Sequence, residues 1–230
     1  MRLKGFTLTE ALVTMSIVGA IAAITIPIIN TNAQRADMEA RFAKVVNDLK
    51  NANSMLISEN DAKSLRSVCN INAEDGEWTQ SNKYLRALSR VYKMKGGINT
   101  RAVRYNSIVS NVNINPNCGW YYMTVGGNVA LFPRGVGDFT DMFQVLIDLN
   151  GPNRGPNRMG RDLHFFVVDK ETGNVSGYGS AQAAPFRQGG HHVSDRSSTN
   201  CNENRISKVF TCTGSITDNG GRIVYDFNAP

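Results

Sequence analysis

The apolar residues fall into two regimes over the first quarter of the chain. Ala11 to Ile29 reads ALVTMSIVGAIAAITIPII, with Thr and Ser as its only polar members, and no charged residue occurs between Glu10 and Arg35. As a helix this run would measure about 28 Å at 1.5 Å per residue, close to the hydrocarbon thickness of a bilayer. From Ala33 to Ser58 the pattern changes. Phe42, Val45, Val46, Leu49, Ala52 and Leu56 follow steps of three and four, one apolar face, while Arg35, Asp37, Glu39, Arg41, Lys44, Asp48 and Lys50 fall mostly on other faces. Together the two stretches predict one helix of about 50 residues, apolar all round in its first half and amphipathic in its second. The second half is expected to lie against a sheet.

Beyond the helix the signals are shorter. Ser58 to Trp78 is polar and turn-rich. Tyr84 to Lys95 predicts a helix with Leu85, Leu88, Val91 and Tyr92 on one face, stopped by Gly96-Gly97. Arg101 to Asn113 is ambiguous. Trp120 to Val125, Val129 to Phe132, Phe143 to Leu149 and Leu163 to Val168 predict strands, the first two joined by the Gly126-Gly127-Asn128 turn, and Val175 opens a fifth after the Lys170–Asn174 turn. Such strands make an antiparallel meander with a single apolar face for the long helix to cover. Ser180 to Asn200 reads as an exposed loop, and Phe210–Cys212 and Arg222–Phe227 as late strands. The expected class is α+β.

Composition refines this picture at two points. With 41% apolar and 19% charged residues among 230, the chain is built to fold rather than to stay disordered. Its mean hydropathy of −0.27 excludes a polytopic membrane protein but conceals the one apolar run. Arg2 and Lys4 precede that run, which places the N-terminus in the cytoplasm by the positive-inside rule. A cleaved signal peptide would need its small-residue site after the apolar core, whereas Gly19-Ala20-Ile21-Ala22-Ala23 lies within it. A plain anchor leaves Glu10 unexplained, because a carboxylate at the edge of a lipid-embedded helix is costly and calls for a partner.

The segment Gly5-Phe6-Thr7-Leu8-Thr9-Glu10-Ala11 resembles the processing site of type IV prepilins and type II secretion pseudopilins. A basic leader ends in Gly5, Phe6 follows as the new N-terminus, Glu10 is the fifth residue after the cut, and Pro27 stands where pilins of this family often kink. The resemblance is strong from Met1 to about Ile29, weaker from Cys118 to Pro230, and says little of Asp61 to Asn117. It implies cleavage between Gly5 and Phe6 by a prepilin peptidase, N-methylation of Phe6, and assembly with other pilin subunits through the N-terminal helix. The domain plan is then a leader at 1–5, an assembly and membrane helix at 6–60 and a globular pilin-like head at 61–230. Glu10 is expected to pair with the Phe6 ammonium of its own or an adjacent chain, since an unpaired charge in an apolar filament core costs several kcal/mol. Pro27 is expected to kink or locally melt the helix. The implied location is the inner membrane, single-pass, and afterwards a periplasmic or extracellular filament. The alternative reading is a minor tip pilin that binds DNA or a surface.

Within the head, Asp148-Leu149-Asn150-Gly151-Pro152-Asn153 through Arg161-Asp162 is the most unusual stretch. Asp148, Asn150, Asn153 and Asp162 are hard oxygen donors suited to calcium, and the stretch resembles an element of pilin-like proteins, some of which carry a calcium site. Arg154, Arg158 and Arg161 oppose a cation, and the competing reading is a rigid loop of Asx turns in which Asp148 and Asp162 accept backbone N–H bonds. His191-His192 has no ligand cluster nearby and reads as loop. The implied compartment is oxidising, so the four cysteines are expected to form two bridges, Cys201–Cys212 as a local loop and Cys69–Cys118 by elimination. Loss of Arg2 and Lys4 with the leader removes two charges from an excess of six, leaving a mild balance, and no aromatics interleave the arginines. Nucleic acid is therefore not the expected partner. No catalytic constellation stands out, and the chain reads as non-enzymatic, with no small-molecule substrate and no required cofactor.

Overall fold

The computed structural model describes residues 7–72, 74–91, 94–95, 104–106, 111–113, 121–123, 129–133, 142–150, 160–178, 180, 187–188, 191–192 and 212–224. Helix α1 spans Leu8–Glu59, 52 residues, with Pro27 inside it. The chain divides into two compact units within this helix, Met1–Asp37 and Met38–Pro230.

The first unit is helical from Leu8 onward, and its large apolar side chains are exposed, from Leu8 at 78% to Ile29 at 58%. Thr14, Ser16 and Thr25 turn their hydroxyls back onto the carbonyls of Glu10, Leu12 and Ile21. Those side chains thus place no polar demand on an apolar surrounding. The helix is continuous through Pro27, so of the two expected effects, a kink or local melting, melting does not occur.

The second unit is an α+β head. Among the described residues, after α1 come two helices, α2 (Leu65–Val68) and α3 (Glu77–Val91), then ten short strands, and finally α4 (Cys212–Asp218). The strands are β1 (Met94–Lys95), β2 (Arg104–Asn106), β3 (Asn111–Asn113), β4 (Tyr121–Met123), β5 (Val129–Pro133), β6 (Met142–Asp148), β7 (Leu163–Asp169), β8 (Val175–Gly177), β9 (Arg187–Gln188) and β10 (His191–His192). Six of them form one antiparallel sheet in the order β1-β4-β5-β6-β7-β8, the expected meander with β1 added at its edge. The ambiguous stretch folds as the pair β2–β3, and His191-His192 pairs with β9.

Phe42, Val45, Leu49, Ala52 and Leu56 of α1 are buried, the face read from the periodicity. They pack with Phe143, Val145 and Ile147 of β6 and with Phe166, Val168 and Val175 of β7 and β8. Each large side chain so buried contributes on the order of 1.5–3 kcal/mol. Helix α3 covers the same face through Tyr84, Leu85 and Leu88, and the Tyr84 ring stacks on Phe143 at 4.6 Å. Lys170, in the turn after β7, is almost wholly buried, with its ammonium bonded to Gln80 and held 5.4 Å from the Phe143 ring centre.

Several expectations are corrected. The sheet does not have a single apolar face. Leu163 to Val168 are all buried, and Phe165 meets Tyr178 edge to face at 5.1 Å on the side opposite Phe166. The reason is visible in Phe165-Phe166-Val167-Val168, a continuous apolar run rather than an alternation, which marks a strand covered on both sides. The helix expected at Tyr84–Lys95 begins earlier and ends at Val91, and Met94–Lys95 pairs with β4. A short helix, α2, forms within the supposed turn region because Ser64 caps it by accepting the Ser67 N–H and Leu65 is fully buried. Cys212 does not end a strand but begins α4, whose Thr213 and Thr217 hydroxyls bond to β7 and β8. Residues 222–224 are not a strand, and 225–227 lie outside the described residues.

Candidate functional site

The chemistry-bearing end of the first unit is the first turn of α1. Thr7 is the residue before the helix, and Glu10 is the third within it. The Glu10 carboxylate accepts the Thr7 N–H at 2.9 Å and the Thr7 hydroxyl at 2.7 Å, while the Glu10 N–H donates to Thr7 Oγ1 at 3.3 Å. This is a capping box, in which side chains satisfy amides that the helix itself leaves open. The carboxylate also lies at the positive end of the helix dipole. The Thr-x-x-Glu spacing ahead of an apolar run is the sequence signal for this box, in Thr7 and Glu10. Gly5 and Phe6 lie outside the described residues.

The same helix contains the segment, among the described residues, that is long and apolar enough to cross a bilayer. None of its most apolar window is buried against protein.

The second candidate is the loop between β6 and β7. Asp148 and Asp162 are fully buried at its two ends, and Asn150 joins them. The Asn150 N–H donates to Asp148 Oδ1 at 3.1 Å, an Asx turn, and its amide nitrogen donates to Asp162 Oδ2 at 3.2 Å. The Leu149 N–H donates to the Asp162 carbonyl at 2.7 Å, closing the loop's base. The three residues are thus brought together, with the expected Asx-turn bond in place at Asp148, while the Asp162 carboxylate accepts a side-chain amide. Asn153, Arg154 and Arg158 lie outside the described residues. Among the described residues no three His, Cys, Asp or Glu side chains gather as a metal site.

Two residues beyond this loop stands His164, unremarked in the sequence because a lone His in an apolar strand carries no pattern. It is fully buried, edge-on to Phe42 at 5.3 Å, with Nε2 3.2 Å from the Arg161 carbonyl and Nδ1 3.5 Å from the Thr213 hydroxyl. Burial pushes its pKa down to about 4 against the opposing pull of the Arg161 carbonyl. Its stabilising contribution is therefore complete above the unfolded value near 6.5 and is lost as pH falls through that window to about 4. Unfolding by denaturant is expected to show about 2–3 kcal/mol less stability at pH 4.5 than at 7.5 from this residue alone. The measurement is the slope difference between the natural protein and His164→Leu, and equal slopes would show that His164 takes up its proton as readily folded as unfolded.

The cysteines divide unequally. Cys212 is disulfide-bonded, to a partner outside the described residues. Cys69 is a free, buried thiol, so the Cys69–Cys118 bridge inferred by elimination is not formed in this structure. Cys69 sits at the C-cap of α2 within the helix-side core, and Cys118 lies outside the described residues. Desolvation pushes the Cys69 pKa up to about 12, with Arg90 pulling weakly the other way, which keeps it protonated and unreactive.

Comparison with known proteins found no match to this chain among family models, curated proteins or solved structures.

Proposed function

We propose that the chain is a type IV pilin-like subunit, made as a prepilin and assembled into a pilus or secretion pseudopilus through its N-terminal helix. The observation that carries this reading is a carboxylate, Glu10, on the first turn of an apolar helix with no protein around it, four residues after the Gly5-Phe6 pair. An apolar surface of that extent needs lipid or other helices to cover it. In a bare anchor the acid would serve only to cap the helix through Thr7, for which Gln would do nearly as well, whereas a helix transferred from lipid into a bundle of its own kind also has a use for its charge. The head, an α+β unit with the amphipathic half of α1 on its sheet, is the layout a pilin-like subunit requires.

The test is the mature N-terminus. Mass spectrometry of protein isolated from its native cells is expected to find cleavage after Gly5 and a methylated Phe6. An intact leader, or a cut near Ala23, overturns the reading.

Calcium at the Asp148–Asp162 loop is proposed as a feature of the same subunit. Its support is an oxygen-only donor set in which two buried carboxylates meet one Asn. If calcium binds the folded loop, EDTA lowers the melting temperature of the protein, added Ca²⁺ restores it, and Asp148→Ala abolishes the difference. Identical melting with and without millimolar Ca²⁺ leaves the Asx turns as the loop's whole explanation.

A further inference from the structure

We propose that Asn53 is a register lock, which fixes the axial position of the second half of α1 on the head. It is the only polar side chain among the buried residues of α1, and it is fully buried. Its amide nitrogen donates to the Gly173 carbonyl at 2.7 Å, and its amide oxygen accepts the Tyr84 hydroxyl at 2.9 Å. One side chain thereby ties α1 to α3 and to the turn between β7 and β8. The turn is shaped for this approach. Gly173 has φ +74, and a Cβ there would stand 2.9 Å from the Asn53 Cβ.

The apolar contacts of α1 do not by themselves choose this position. Phe42, Val45, Leu49, Ala52 and Leu56 recur every three or four residues, so a slip of one turn, about 5.4 Å, lays apolar side chains on apolar sites again. Asn53 is different. A one-turn slip carries its amide into the apolar site of Leu49 or out toward that of Ile57, away from both partners. Burying an amide without partners is costly, and leaving the Gly173 carbonyl without its donor adds to the cost. A lone buried Asn on an apolar helix face is the best-attested device for setting register. A second tie reports on the register from a distance: the Ile223 N–H donates to Glu39 Oε1 at 2.8 Å. Glu39 lies about 21 Å from Asn53 along the helix. The lock is independent of any assembly. Its use rests on the filament reading above, in which a slip would change the length of helix between Glu10 and the head.

The test is amide hydrogen exchange on the full chain in detergent micelles, read at Ile223 and, as a reference for global opening, at Phe166 in β7. In Asn53→Leu, protection at Ile223 is expected to fall by roughly tenfold or more while Phe166 keeps its own. Unchanged protection at Ile223, or an equal fall at both amides, shows that Asn53 contributes only local stability and overturns the proposal. If Asn53→Leu does not fold, Tyr84→Phe decides. It keeps the ring on Phe143 and removes one of the two bonds, so a selective fall of roughly two- to fivefold at Ile223 supports the lock and no change overturns it. Because no filament enters the measurement, failure here is distinct from failure of the assembly reading.

Discussion

Replacing Glu10 by Gln is expected to abolish filament assembly almost as fully as replacing it by Ala, while leaving leader cleavage and the head's stability unchanged. The pair of variants matters because it separates the capping seen in the structure from the proposed role in assembly. In the single chain it completes the capping box with Thr7. Gln serves in such a box nearly as well as Glu, since the Thr7 N–H and hydroxyl need only an acceptor. If capping were the whole role, Gln would assemble like the natural protein and Ala would lose about 1 kcal/mol of helix stability in the first turn. The proposed assembly role needs the charge. When the Phe6 ammonium enters an apolar bundle without a counter-ion, the penalty is on the order of 3–5 kcal/mol. That lowers the assembly equilibrium by a factor of roughly several hundred to several thousand, each 1.4 kcal/mol being tenfold. Sheared filaments quantified against the processed pool read the result directly. A near-natural yield for Gln with a reduced yield for Ala would reassign Glu10 to capping alone.

What could be read from the sequence follows from what each signal depends on. The α1 face from Phe42 to Leu56 was legible because the helical period repeats over several turns, and the meander β4–β8 because turn residues separate its strands. Both are local patterns. Helix α4 was missed because Cys-Thr-Gly-Ser-Ile-Thr-Asp has one large apolar residue and no period, and its place is set by non-local bonds from Thr213 and Thr217 to β7 and β8. Asn53, His164 and Lys170 were missed for a related reason. A polar residue is recognised as buried only when its distant partner is known, and the partners Gly173, Thr213 and Gln80 lie tens of residues away. Cys69 shows the reverse error. Counting thiols assumed that all four pair, whereas its site in the core is defined by packing against Leu65 and its neighbours. At the candidate site the cleavage motif pointed to Glu10, while its pairing with Thr7 was carried by the separate Thr-x-x-Glu spacing, whose bonds the structure shows.

Among the described glycines, the largest loss of head stability from a single methyl group is expected at Gly177→Ala. Gly177 ends β8 where α4 crosses it, and its N–H donates to Thr217 Oγ1 at 3.0 Å. A Cβ there would fall inside the van der Waals radii of the Thr213 carbonyl and the Thr217 hydroxyl. The first is main chain and cannot rotate away, so α4 has to move. Moving it strains the bond from Gly177 and the 2.8 Å bond from the Phe165 N–H to Thr213 Oγ1 as well. Overpacking costs about 1–3 kcal/mol and each buried bond lost about 1–3 more. The expected sum is about 3–5 kcal/mol, or roughly 10 °C in melting temperature for a domain of this size. No left-handed backbone is involved at Gly177, and Ala there would otherwise favour folding by about 0.4–1 kcal/mol through the unfolded chain. The predicted sign therefore comes from the contact alone. Gly76→Ala is the control, since a Cβ at Gly76 meets nothing within 4 Å, and a change of only a few tenths of a kcal/mol is expected there. Melting of the full chain in detergent decides the matter: a loss below about 1 kcal/mol at Gly177 would mean that α4 does not rest on β8 as closely as this structure places it.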